Sequence, residues 1–188
     1  ISGDVSALAP KSLSSEGLIA FSVVAAAINY CFWGEPKWTV QDRSGSYQGS
    51  LGLFYALSKA VNEGCDLLNP KYLAIISEED LGEILAGNVG IPLFEERLRM
   101  LRELGNGICG IFDGSFTKVL KTADYDAALI AELLATSFPS VFEDAWQYQE
   151  RKLLFRKRAQ LAAYHLGKMS YANLLPHITG AEKLTGFA

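Results

Sequence analysis

The sequence predicts a single all-α domain. Three observations carry that reading: apolar residues recur at helical spacing along most of the chain, Gly, Pro and Ser/Asp residues punctuate it where helices would start and stop, and alternating runs are too short for strands, Gly107 to Phe112 excepted. With 188 residues, 49% hydrophobic and 20% charged, the chain is long enough to bury one sizeable core and too apolar for intrinsic disorder.

The elements follow in order. A first helix covers Glu16 to Cys31, and a polar and aromatic loop runs from Trp33 to Gly49. A second helix spans Ser50 to Glu63 and stops at Gly64. Asn69-Pro70 opens a short helix, because proline at the first helical position loses no hydrogen bond. Ser77-Glu-Glu-Asp80 caps another that ends at Gly87. Pro92 starts a helix to Leu104 closed by Gly105, Asp124 caps one to Thr136, and a last helix spans Lys152 to Leu166. There is no internal repeat and no linker. The first residue is Ile1 rather than Met, so residues 1–188 are expected to be one helical domain that forms part of a longer chain cut after Ala188.

A net charge of −4 argues against a protein whose main task is coating nucleic acid or an anionic membrane. Cys31, Cys65 and Cys109 are too few and too far apart for a disulfide framework or a zinc knuckle, which implies a reducing, cytoplasmic setting. Leu18 to Trp33 is the most apolar stretch, but Ser22, Asn29 and Tyr30 interrupt it, Glu16 precedes it, and it falls short of the roughly 20 apolar residues a span needs. It reads as a buried helix and not as a signal or membrane segment.

Helical wheels place charges where apolar residues belong. From Pro92, Leu93, Leu98, Leu101 and Leu104 form one stripe, with Glu95, Arg99 and Glu103 outside it and Arg97 inside. A guanidinium there requires a structural ion pair, a snorkelling stem or a ligand anion. In the last helix Lys157 falls between Leu153 and Leu161, with Arg158 and His165 at the edge of the stripe. Arg151, Lys152 and Arg156 suit a solvated basic patch; Lys157 calls for a buried partner or a ligand anion. Leu18, Ser22, Ala25, Ala26 and Asn29 form a seam that either permits close packing or faces a cavity. Asn29 leads into Tyr30-Cys-Phe-Trp33, a run suited to a stacking slot for a flat base or to ordinary core. Asp144, framed by Phe142 and Trp146, is either a cap, a partner for Lys157 or Arg97, or a functional carboxylate.

Other motifs carry little chemistry. Gly105-Asn-Gly-Ile-Cys-Gly110 spells a dinucleotide fingerprint by letter, but a helix precedes it where a strand is required. With only His165 and His177, and neither H-E-x-x-H nor G-x-S-x-G, zinc and serine chemistry lack support.

Taken together, the segments Asn29-Tyr-Cys-Phe-Trp33, Gly49-Ser-Leu-Gly-Leu-Phe-Tyr-Ala-Leu57 with Gly64, Ile91-Pro-Leu-Phe-Glu-Glu-Arg97 with Leu101 and Gly105, Phe138-Pro-Ser-Val-Phe-Glu-Asp144 and Phe155-Arg-Lys-Arg-Ala-Gln160 resemble, in order, the queuosine salvage protein family. His165 departs from the acidic residue expected in relatives. The resemblance implies a helical fold akin to helical DNA glycosylases and hydrolysis of the N-glycosidic bond of queuosine 5'-phosphate, a small-molecule nucleotide, releasing queuine and ribose 5-phosphate. It implies no metal, no organic cofactor, no membrane and no stable nucleic-acid partner. Asn29, Phe32 and Trp33 would border the deazapurine pocket, with Phe142 a second stacking partner. Lys157 would face the anionic part of the nucleotide or orient a carboxylate, and Asp144 would hydrogen-bond the base or ribose and is the catalytic candidate within residues 1–188. The family's main catalytic carboxylate is expected directly after Leu184-Thr-Gly-Phe-Ala188. Without the resemblance, a nucleic-acid-binding helical domain or a non-catalytic helical scaffold fits the same residues.

Overall fold

Helix α1 (Ser15–Ala27) is buried along most of its length, and its composition explains why. Every residue from Leu18 to Ala27 is buried, so the apolar stretch that resembles a span is instead a core helix. Ser14 starts it by accepting from the Gly17 N–H at 3.2 Å. Its one buried hydroxyl, Ser22, donates to the Leu18 carbonyl at 2.9 Å and lies 3.5 Å from Met169 Sδ, which makes the small-residue seam a packing surface. No helix among the described residues is long and apolar enough to cross a membrane. The computed structural model describes residues 9–10, 12–43 and 45–180, apart from the Trp146 side chain.

Eight further helices are described: α2 (Gly49–Asn62), α3 (Pro70–Ile75), α4 (Glu78–Ile84), α5 (Phe94–Ile111), α6 (Phe116–Thr122), α7 (Ala127–Ser137), α8 (Pro139–Phe142) and α9 (Lys157–Tyr171). The chain is therefore mostly helical, as expected, but not all-α. Strands β1 (Thr39–Asp42) and β2 (Gly45–Gln48) pair antiparallel with Thr39 opposite Gln48, and β3 (Asp144–Tyr148) and β4 (Arg151–Phe155) pair with Asp144 opposite Phe155. The expected strand at Gly107 to Phe112 is the end of α5 and its cap.

Local rules hold where local chemistry dominates. Asn69 caps α3, and Ser77 with Asp80 closes a reciprocal capping box on α4. They fail where packing dominates. Helix α5 runs through Gly105 because that glycine is a crossing point: a Cβ there would lie 2.3 Å from Ala74 N and 2.6 Å from Pro70 O of α3. Gly107 likewise admits the Phe138 ring. Asp126, two residues later than expected, caps α7 by accepting from the Ala128 and Leu129 N–H groups, while Asp124 sits at φ +47° in the left-handed region.

The largest difference lies between Asp144 and Phe155. Leu153, Leu154 and Phe155 mark two faces on a helical wheel, but two opposite faces also describe an extended strand. Gln149 (φ +53°) and Glu150 make the tight reversal between the paired Tyr148 and Arg151, so α9 begins only at Lys157. Counted from that start, Arg158, Ala162, His165, Leu166 and Met169 form the buried stripe.

His165 is 3% exposed and meets the Phe54 ring edge-on at 5.4 Å. Its Nδ1 is buried with no hydrogen-bond partner among the described residues, and burial depresses its pKa from 6.5 to about 4. The unfolded chain therefore takes up this proton at higher pH than the native one. The stability held by the neutral imidazole is complete above about pH 6.5 and falls as pH drops toward 4, by on the order of 2 to 3 kcal/mol. In urea unfolding between pH 7.5 and 4.5, a His165→Leu variant is expected to lose less stability than the parent by that amount. Gly105→Ala is expected to cost about 2 kcal/mol or more at neutral pH, because the clash is with backbone.

Candidate active site

The site is built at the C-terminal end of α1. Helix ends leave carbonyls without intrahelical partners, and α1 carries no basic residue in its last turn to meet them. Two guanidiniums from other helices do so. Arg158 of α9 donates from Nη1 to the Ala27 carbonyl at 2.8 Å. Arg97 of α5 donates to the Ile28 carbonyl, to Tyr30 O at 2.5 Å and to Cys31 O at 3.0 Å, and its Nε donates to Pro92 O at 3.0 Å. Both cations lie over one ring: their guanidinium carbons are 4.6 Å (Arg97) and 4.7 Å (Arg158) from the Tyr30 centroid.

Asp144, the first residue of β3, completes the cluster. Its carboxylate takes two bonds from Arg158, at 2.7 Å from Nη2 and 3.3 Å from Nε. The pair is asymmetric, with the arginine side chain 5% and the aspartate 40% exposed. One edge of the carboxylate is thus locked to the protein and another faces solvent. Burial lowers the Arg97 pKa to about 10, a cation still at neutral pH, and raises the Tyr30 pKa against the opposing pull of both arginines. The Tyr30 hydroxyl is buried without a partner among the described residues.

The expected site residues fall into two groups. Asn29, whose Oδ1 accepts from Ser50 Oγ at 2.8 Å, belongs to the segment held by Arg97; Trp33, at its far end, is 82% exposed. Phe32 is half-buried, stacked on Trp38 at 6.1 Å, with the Arg97 guanidinium carbon 5.0 Å from its ring centroid. Asp144 joins this group through Arg158. Phe142 does not: it is fully buried with its ring edge-on to Phe138, so it offers no face to a ligand and the stacking role expected for it is withdrawn. Lys157 is exposed at the first turn of α9, because the helix starts later than its periodicity suggested; the buried cation is its neighbour Arg158. Reading the stripe from residue 157 instead of 152 finds Arg158 in the sequence.

The basic run forms no single face. Arg151 and Lys152 are exposed on β4, Arg156 bonds Glu132, and Arg158 is internal. A cavity of about 710 Å³ opens elsewhere, lined in part by Lys59, Glu63, Tyr72, Asp80 and Asn88; none of the expected site residues lines it. Among the described residues no group of three or more His, Cys, Asp and Glu is placed to hold a metal ion. Leu184–Ala188 and the carboxylate expected after it lie outside the described residues.

The cluster and the helical frame define a protein with a paired carboxylate beside an aromatic segment, held by buried arginines. Residues 8–188 match the family described as queuosine salvage protein, and the chain belongs to that family. It is 34% identical over 173 residues to a protein of Sphaerobacter thermophilus, covering 92% of this chain and 53% of that one. It is 31% identical over 159 residues to one of Nematostella vectensis, and 30% over 153 residues to one of Bos taurus, covering 82% and 79% of this chain and 45% of each relative. Each of the three is named queuosine 5'-phosphate N-glycosylase/hydrolase. The chain spans about half the length of the curated relatives it matches.

Removing the Asp144 carboxylate leaves Arg158 buried without its counter-ion. Asp144→Ala is expected to cost about 1 to 3 kcal/mol in urea unfolding, less than for a fully internal pair because the carboxylate is partly solvated.

Proposed function

We propose that this protein hydrolyses the N-glycosidic bond of queuosine 5'-phosphate, releasing queuine and ribose 5-phosphate for queuine salvage into tRNA modification. The observation that carries the reading is the family match over residues 8–188, together with relatives that bear that name. In this reaction the C–N bond breaks, a water oxygen bonds to the ribose carbon, and a proton reaches the departing base. Positive charge builds on the ribose, so a fixed carboxylate lowers the barrier by stabilising an oxocarbenium-like state. A deazapurine lacks the ring nitrogen through which a purine is protonated, which places more of the work on the sugar side.

Asp144 is suited to bind the ribose or base: Arg158 fixes its orientation while its exposed edge accepts hydrogen bonds. Trp33 supplies a free aromatic face, Phe32 borders it from its stack on Trp38, and Asn29 offers an amide at the start of the same segment. Lys157, exposed beside Arg158 at the start of α9, is suited to meet the anionic part of the nucleotide, its 5'-phosphate. The carboxylate expected after Ala188 would supply the main catalytic group. The mainly helical build and the shared bond cleavage support a fold akin to helical DNA glycosylases, and three free thiols support a cytoplasmic setting.

The test is queuine release from queuosine 5'-phosphate by the full-length protein, followed by chromatography; no release overturns the reading. Asp144→Asn is expected to lower kcat/KM by about ten-fold or more. Lys157→Ala is expected to raise KM for the 5'-phosphate and to leave KM for free queuosine nearly unchanged. An equal effect on both substrates would remove Lys157 from the phosphate.

A further inference from the structure

Arg97 is fully buried, and its partners among the described residues are carbonyls and aromatic rings. A hydrophobic side chain of similar volume would fill this space without the cost of desolvating a charge. What the guanidinium does that a hydrophobe cannot is hold backbone. It grips the carbonyls of Ile28, Tyr30 and Cys31 on one side and Pro92 on the other, while the backbone N–H of Arg97 makes the first-turn helix bond to Leu93 O at 3.2 Å. Two of these residues are non-glycine residues in the left-handed region, Cys31 at φ +49° and Leu93 at φ +54°. Such conformations persist only where surroundings over-determine them. The gripped segment carries Asn29 and ends at exposed Trp33, and Arg158 links the same Tyr30 ring to Asp144.

We propose that Arg97 is a positioning residue of the candidate site: it holds residues 28–31 in the strained conformation that presents Asn29 and Trp33, and thereby sets affinity for the ligand. This rests on the function proposed above. The role needs a planar fork with several donors, which a lysine ammonium does not supply, so the conservative substitution is diagnostic.

The experiment compares the full-length protein with Arg97→Lys and, as a control on the same helix, Arg102→Lys, whose Nε donates to Ile76 O at 2.9 Å. Two quantities are read at a temperature where circular dichroism shows all three folded. One is the Kd for queuosine 5'-phosphate by calorimetry. The other is the iodoacetamide labelling rate of Cys31, with Cys65 and Cys109 as internal controls in the same peptide map. The expected result for Arg97→Lys is an affinity loss of roughly ten-fold or more and several-fold faster labelling of Cys31 alone, with neither change in Arg102→Lys. Unchanged affinity, unchanged Cys31 labelling, or equal effects from both variants overturns the proposal. If Arg97→Lys alone does not fold, it is combined with Leu93→Gly, which relieves the left-handed strain at a partly exposed residue, and the same comparison is made against Leu93→Gly. If the parent protein binds no ligand, the proposed function falls and the Cys31 arm decides the hold of Arg97 on the segment.

Discussion

The carbonyls at the end of α1 are the constraint on which the remaining architecture depends. A helix buried along nearly its whole length cannot leave its last carbonyls facing apolar side chains, since an unsatisfied buried acceptor costs about 1 to 3 kcal/mol. The helix has no basic residue of its own in its last turn. Arg158 from α9 takes the Ala27 carbonyl, and Arg97 from α5 takes those of Ile28, Tyr30 and Cys31. Three helices far apart in sequence are thereby fixed to one point. Positive charge at that end also opposes the negative end of the α1 dipole.

Two cations gathered for this purpose need compensation, and the way it is provided creates the candidate site. Asp144 balances Arg158 from a position that is only partly buried. The carbonyl dipoles and the Tyr30 and Phe32 rings accommodate Arg97. A structural necessity, capping α1, therefore leaves a carboxylate oriented at the surface beside an aromatic segment whose backbone is strained. Asp144 is also the first residue of the β3–β4 hairpin, and its opposite residue Phe155 leads directly into α9, so hairpin and ion pair share one foundation. An isolated two-stranded hairpin is marginal in water; the ion pair at its base ties it to the helical body.

Much of the fold was legible because it follows from local chemistry. The caps at Asn69 and Ser77 are satisfied by side chains within three residues, and the stripe containing Leu98, Leu101 and Leu104 puts Arg97 among apolar positions. The hairpin was not legible, because strand pairing between Asp144 and Phe155 is a relation between two segments and neither has a period that excludes helix. That one difference shifted the start of α9, moved Lys157 from the interior to the surface, and put Arg158 in its place. Gly105 was read as a stop because glycine ends helices by its backbone freedom; here its missing Cβ serves the crossing of α3 instead. The family resemblance draws Phe142 to the site together with Asp144, yet Glu143 separates the two: Phe142 ends a short helix with its side chain in the core, while Asp144 opens β3 with its carboxylate partly exposed.

By itself, the sequence determined that this chain is mostly helical, that α1 is a core helix, that Arg97 lies on an apolar stripe and that Asn29 to Trp33 and Asp144 belong to a family pattern, since periodicity, capping and residue order are all written along the chain. Only the tertiary structure decided which cation holds Asp144, where α9 begins and which aromatic residues remain free. Those outcomes depend on carbonyls and rings brought together from positions up to 131 residues apart, and the energy of satisfying a buried charge is a property of that assembled surrounding, which no local window of sequence contains.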